Sequence, residues 1–259
     1  MSLLLRTTAL MLLLLSRAPA MAAVPLTTNS TEDNREESQQ NEVSSKLFRH
    51  SLSGLYGIAN QNYPIVQPYQ DFDVLYSKAH QAQIELETLC KSTALLTHTQ
   101  AYFAGTKSRQ RALEKIELEL DGQAERITDL ARATIVAHDV ASLVTAYETL
   151  SREATVVKVK NRFKNPAESG YRDLNVLVQL PKTGIIAEVQ LHLAAIAQVK
   201  SGAEHELYEQ IQTIERTARQ EQRELTEWEN AQIAKMRSAS RDLYQQAWQP
   251  YITTHIQAA

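Results

Sequence analysis

From Val156 to Leu193 the chain twice alternates charged or polar side chains with aliphatic ones, the period-two pattern of a strand that hides one face and leaves the other open. In Val157-Lys158-Val159-Lys160-Asn161-Arg162 the even positions are basic. In Ile185-Ile186-Ala187-Glu188-Val189-Gln190-Leu191-His192-Leu193 the even positions from Glu188 onward are polar. Between the two lies Gly170-Tyr171-Arg172-Asp173-Leu174-Asn175. A half-buried sheet made of these segments packs its odd rows against helices and gathers a basic row, an acid and an amide on one surface. Such a surface suits phosphates and a divalent metal.

At 259 residues the chain is long enough for one well-cored domain with appendages. Its start reads as an export signal. Arg6, the run Leu12-Leu13-Leu14-Leu15 and the small residues Ala18-Pro19-Ala20-Met21-Ala22-Ala23 have the three-part layout of a secretory signal peptide, with cleavage expected after Ala22. The apolar run is shorter than the ~20 residues that a membrane span needs, so stable membrane insertion is not expected and the protein reads as periplasmic or secreted. Cleavage removes Arg6 and Arg17 and no acid, taking the formal net charge from −3 to −5. An acidic chain does not coat nucleic acid, so any polyanion site is a local patch. Cys90 is the single cysteine, which excludes an internal disulfide and cysteine-rich zinc sites.

Residues 23–45 are polar and almost free of aliphatic side chains, the composition of a disordered linker. Residues 46–104 read as a helical segment, with helical spacing of apolar residues from Asp71 to Thr97. A helix over Ser108–Leu120, a strand over Ile127–Val136 and a helix over Asp139–Ser151 follow. Strands are then expected at Thr155–Phe163, Tyr171–Leu180 and Gly184–Leu193, the last two joined by a tight turn at Pro181-Lys182-Thr183-Gly184. From Ala194 to about Trp248 the pattern is helical, with a break near Ser201-Gly202. The fold class is α+β: a mixed sheet flanked by helices, with long C-terminal helices. The segment 217–259, rich in Arg, Glu and Gln up to Arg241, either packs on the core or pairs with a second copy as a homo-oligomer.

Taken in order, Asp129-Leu130-Ala131, the basic strand, Gly170-Tyr171-Arg172-Asp173-Leu174-Asn175, Glu188-Val189-Gln190, and Glu204-His205 with Tyr208 resemble the RelA/SpoT nucleotide pyrophosphokinase domain, over 105–216. The resemblance implies a nucleotidyltransferase-like fold that moves pyrophosphate from ATP to a ribose 3′-hydroxyl, usually of GDP or GTP. Asp129 falls where the family binds magnesium, and Glu188 where it has a second carboxylate that serves as metal ligand or base. Magnesium is a hard cation bound by oxygen, so a carboxylate pair suits this chemistry. Tyr171 matches the tyrosine that stacks on the acceptor base. Lys160 and Arg162, with Gln190, fall on the acceptor side. The donor frame reads Gly105, Lys107, Arg111 and Lys115, where the family has Arg, Lys, Ser and Lys. Arg132 and Thr134 replace the glycine and arginine after the metal aspartate, Asn175 the closing histidine, and His192 the arginine after Glu-x-Gln. In a divergent branch of this kind Arg132 and Arg111 restore positive charge.

Plainer roles stand beside these. Lys158, Lys160 and Arg162 are equally a solvated row, Tyr171 a packing residue, and His205 a helix-face hydrogen-bonding group. His138-Asp139 reads as a strand end followed by a helix cap. The expectation is an exported, synthetase-only enzyme using Mg2+ and ATP, with ppGpp as one product. The rivals are a non-catalytic nucleotide-binding module and an effector that modifies adenine nucleotide or tRNA, since ATP is scarce outside the cytoplasm.

Overall fold

A computed structural model describes residues 44–63 and 65–253. The leader at 1–22 and most of the polar stretch after it lie outside the described residues. Among the described residues no helix is long and apolar enough to cross a membrane.

Among the described residues six strands form one mixed sheet: β1 (Gln61–Asn62), β2 (Gln100–Phe103), β3 (Arg132–Ala137), β4 (Thr155–Asn161), β5 (Leu174–Gln179) and β6 (Ile186–Leu193), in the order β1-β4-β5-β6-β3-β2. Only β3 and β6 run parallel; the other neighbours are antiparallel. The expected hairpin is β5–β6, at the centre. Its turn is pinned from outside, because the Lys182 and Thr183 amides donate to the Glu85 carboxylate at 2.7 and 2.9 Å.

Among the described residues after 50 the helices are α1 (Leu52–Gly57), α2 (Phe72–Thr97), α3 (Arg109–Glu119), α4 (Val140–Glu153), α5 (Ala194–Ser201), α6 (His205–Gln220) and α7 (Glu227–Thr253). Short polar side chains start four of them: Ser51, Asp71, Ser108 and Asp139 each accept from a backbone N–H three residues on. Asp139 thus takes the capping role read from the sequence. Leu75, Ala82, Leu86 and Cys90 of α2 and Leu143, Val144 and Leu150 of α4 are buried with Ile135, Val176, Val178, Val189 and Leu191 of the sheet. This is the apolar face, and it absorbs the odd rows of β6. Burial pushes the Cys90 thiol up to about 12, so it is a packing residue and not a reactive one.

Four local expectations are corrected. The segment 46–104 is not wholly helical, because β1 and β2 fall within it as the two edge strands. Two- and four-residue edge strands carry too little periodicity to be seen against the helix between them. The strand expected from Ile127 begins only at Arg132, after the short 3-10 turn Ala124–Arg126 and an irregular stretch. The register of β4 shifts between Val156 and Lys158, so the strict alternation there is broken by a bulge at position 157. The C-terminal helical run has a second break, between Gln220 and Glu227.

Candidate active site

Asp129 stands in the irregular stretch before β3, and two helix-side lysines converge on it. Lys107 Nζ donates to Asp129 Oδ2 at 2.8 Å and Lys115 Nζ to the same oxygen at 2.9 Å. Lys107 is held just before α3 by its own N–H, which donates to Leu130 O, and Lys115 lies on α3 facing the same way. Burial raises the Asp129 carboxyl, but Lys115 and Lys107 outweigh it and hold the group below the usual carboxylate range. Asp129 Oδ1 is buried without a hydrogen-bond partner. Arg111 is exposed in the first turn of α3 and does not join this knot.

Two buried glutamines set this geometry. Gln67 Nε2 donates to Ile127 O and Ile186 O, both at 2.8 Å, and its Oε1 accepts from the Ile186 amide at 2.9 Å. Ile127 and Ile186 each lie two residues before a candidate carboxylate, so one side chain ties together the approaches to Asp129 and Glu188. Gln83 of α2 does the same for β3, bonding both the N–H and the C=O of Arg132.

On the sheet, Arg132 pairs with Glu188 and Thr134 with Gln190 across β3–β6; Gln190 pairs with Asn175, and Asn175 with Lys160. Tyr102 of β2 is paired with Thr134. Residues paired in register share a face, so these side chains form the polar surface expected from the even rows. Glu188 Oε1 accepts from Asn175 Nδ2 at 2.6 Å, which orients the carboxylate. Tyr102, Arg132, Thr134, Glu188, Gln190 and Lys200 line a cleft of about 280 Å³. Asp129 borders this region through Ala131, whose carbonyl accepts from the Glu188 amide at 3.0 Å, but is not part of the cleft wall.

Tyr171 and Arg162 lie in a second, more enclosed cluster. Arg162 pairs with the buried Asp173 at 2.6 Å, the Tyr171 hydroxyl donates to Asp173 Oδ2 at 2.8 Å, and it lies 2.6 Å from His192 Nε2. Tyr244 of α7 packs edge-on against the Tyr171 ring at 5.6 Å. Arg162 and Lys200 each lie 5.6 Å from the ring centre. His192 occupies a polar-row position yet is 1% exposed, and burial, aided by Lys200 and Arg162, pulls it down to about 3. It is therefore neutral and supplies no charge in place of an arginine. Burial likewise pushes the Asp173 carboxyl up, against the opposing pull of Arg162.

No family model matches the chain. Over 121 residues, 47% of this chain, it is 32% identical to the (p)ppApp synthetase toxin Tas1 of Pseudomonas aeruginosa (strain UCBPP-PA14); the match spans about a quarter of that relative, 27% of its length. A solved complex between the Type VI effector Tas1 and its immunity protein superposes with a TM-score of 0.51 at 24% identity, over 69% of this chain and 96% of that one. The chain shares its fold with that effector, and its sequence likeness to the synthetase toxin covers less than half of its length. The small alarmone synthetase 1 from Bacillus subtilis aligns at TM-score 0.46 and 20% identity, over 72% of this chain and 98% of that one.

Several residues at the site escape the sequence reading. Lys200, at the end of α5, lines the cleft and donates to Gln190 Oε1 at 2.7 Å. Tyr102 lies on an edge strand too short to be recognised. Gln67 and Gln83 are far away in sequence, and buried glutamine carries no local pattern. Glu204 is buried, accepting from Tyr244 Oη at 2.9 Å and Ser240 Oγ at 3.2 Å, and so fastens the start of α6 to α7. The adjacent His205 is exposed and pairs with Glu209 at 3.3 Å, a helix-face role. Buried Tyr244 and Trp248 seat α7 on the domain's own core.

Proposed function

We propose that this chain is a nucleotide pyrophosphokinase. The reading is carried by one arrangement: Lys107 and Lys115 gathered on Asp129 beside a polar sheet face that presents Glu188 next to Arg132. In the proposed step the acceptor's ribose 3′-oxygen attacks the β-phosphorus of ATP. The bond from that phosphorus to the α,β-bridging oxygen breaks, AMP leaves, and the hydroxyl proton passes to Glu188. Lys107, Lys115 and Arg132 hold the donor phosphates, with Arg111 at the rim. Lys160, Gln190, Arg162 and Tyr171 lie on the acceptor side.

Among the described residues no three His, Cys, Asp or Glu side chains group as a metal site. Two carboxylates still fit Mg2+ where phosphates complete the shell, and the unpartnered Asp129 Oδ1 is an oxygen donor of the right kind. Bound there, magnesium supplies charge neutralisation to the phosphates.

The acceptor proposed is an adenine nucleotide, supported by the 32% identity to a protein named as a (p)ppApp synthetase toxin. With the leader-like residues 1–22, the proposal extends to an exported effector that meets ATP in another cell. A non-catalytic nucleotide-binding module is the second reading, favoured by the commitment of the Tyr171 hydroxyl to Asp173 and His192. The test is to incubate the protein lacking residues 1–22 with Mg2+, ATP labelled on the β-phosphate, and AMP, ADP, GDP, GTP or tRNA in turn. Label on an adenine nucleotide supports the proposal. Label only on guanine nucleotides or tRNA overturns the acceptor, and label on none overturns the activity.

A further inference from the structure

The cleft on the polar face contains two cations whose own chain leaves them under-occupied. The Arg132 guanidinium makes no hydrogen bond or ion pair among the described residues, and its Nε is buried without a partner. Lys200 is largely enclosed, and burial draws its ammonium below the usual lysine value. Its hydrogen bond among the described residues is to the Gln190 amide at 2.7 Å, and it forms no ion pair there. Beyond that neutral oxygen and the Tyr171 ring at 5.6 Å, this half-buried ammonium keeps hydrogen-bonding capacity for a ligand. Arg132 faces Glu188 across the β3–β6 pair, and Lys200 lies over Gln190, the next residue along that row. The two cations therefore bracket the candidate base. At the edge of the same cleft Tyr102 is 53% exposed on β2, with its hydroxyl donated to Gln100 Oε1. A large aromatic ring left open on a cationic wall is the arrangement that takes a base and its phosphates together.

We infer that Tyr102 and Lys200 are substrate-contacting residues of this cleft: the Tyr102 ring is the platform for a purine base, and the Lys200 ammonium, with the Arg132 guanidinium, holds the nucleotide's phosphates. The inference rests on the pyrophosphokinase reading and adds to it two residues, one of them setting base preference.

Calorimetric titration with Mg2+ and α,β-methylene ATP, in which the bond to be broken is replaced by carbon, tests binding apart from turnover. Tyr102→Ala weakens binding by about five- to a hundredfold while Tyr102→Phe retains it. Lys200→Met weakens it by about tenfold or more, with Lys200→Arg intermediate. Adenosine, which has no phosphate, separates the roles: its binding falls in Tyr102→Ala and is unchanged in Lys200→Met. A merely structural Lys200 would move both ligands alike and overturns its assignment. Wild-type transfer with both variants binding as wild type overturns the cleft assignment and leaves the activity standing. Wild-type binding with the stated losses but no transfer supports the cleft and overturns the activity. Absence of nucleotide binding by the wild type overturns both.

Discussion

Lys115 Nζ donates to Asp129 Oδ2 at 2.9 Å, the same oxygen that Lys107 holds at 2.8 Å. One carboxylate thus serves two ammonium groups that are only 27% and 13% exposed, and the knot keeps one net positive charge. Asp129→Asn removes the proposed metal ligand and leaves both lysines facing a neutral amide. Transfer falls by at least about a hundredfold, and stability falls by about 1–2 kcal/mol. Glu188→Gln abolishes transfer to a similar extent but keeps an oxygen to accept from Asn175, so its unfolding free energy stays within about 0.5 kcal/mol of wild type. Activity assays beside urea titrations check both; wild-type activity in either variant removes its assigned role.

Tyr171 serves as anchor through its hydroxyl, and its ring lies on the proposed acceptor side. Removing the hydroxyl alone strands Asp173 and His192 in a buried place, so Tyr171→Phe costs about 1–3 kcal/mol although the ring remains. Tyr171→Ala adds a cavity and costs about 3–5 kcal/mol in total. Chemical denaturation gives both figures, and a Phe variant as stable as wild type would show that the hydroxyl network is not formed.

His192 makes stability depend on pH with a defined sign. Its folded value of about 3 lies below the ordinary 6.5, so the unfolded chain takes up the proton more readily. The stabilisation is fully present above 6.5 and is lost as pH falls from there towards 3. His192→Gln keeps a partner for Tyr171 and removes the titration. Denaturant midpoints followed across that window should fall less steeply in the variant than in wild type, and parallel curves would exclude a buried neutral histidine.

Gly170 has φ +81°, and a Cβ there would sit 3.1 Å from Arg241 Cα and 3.4 Å from Tyr244 Cβ. Gly170→Ala is therefore strained twice, by its backbone and by the approach of α7. We expect a loss of about 1–3 kcal/mol, with faster amide hydrogen exchange in α7. Unchanged exchange in that helix would mean that α7 does not rest on the Gly170-Tyr171 corner.

The sequence by itself determined that a central hairpin lies in a mixed sheet, and that Glu188, Gln190 and Lys160 share its polar surface. Period-two alternation allows no other sorting of β6, since a slip of one residue would expose its aliphatic side chains, whereas β5 carries Leu177 on the polar row opposite Glu188 and is sorted by its pairing with β6. The order of motifs also placed Asp129, Lys107 and Lys115 in one frame, although no spacing argument brings residues of a loop and a helix onto one carboxylate oxygen. What remained was decided by tertiary structure. His192 obeys the same alternation as Glu188, yet the enclosure formed with Tyr171 and Lys200 makes it a buried neutral base, because whether a polar row stays open depends on which helix crosses it. Tyr102, Lys200, Gln67 and Gln83 reach the site from an edge strand, a helix end, a loop and a distant helix. A single side chain making a long-range contact leaves no periodic trace in its own neighbourhood, so only the folded chain shows which of them meet.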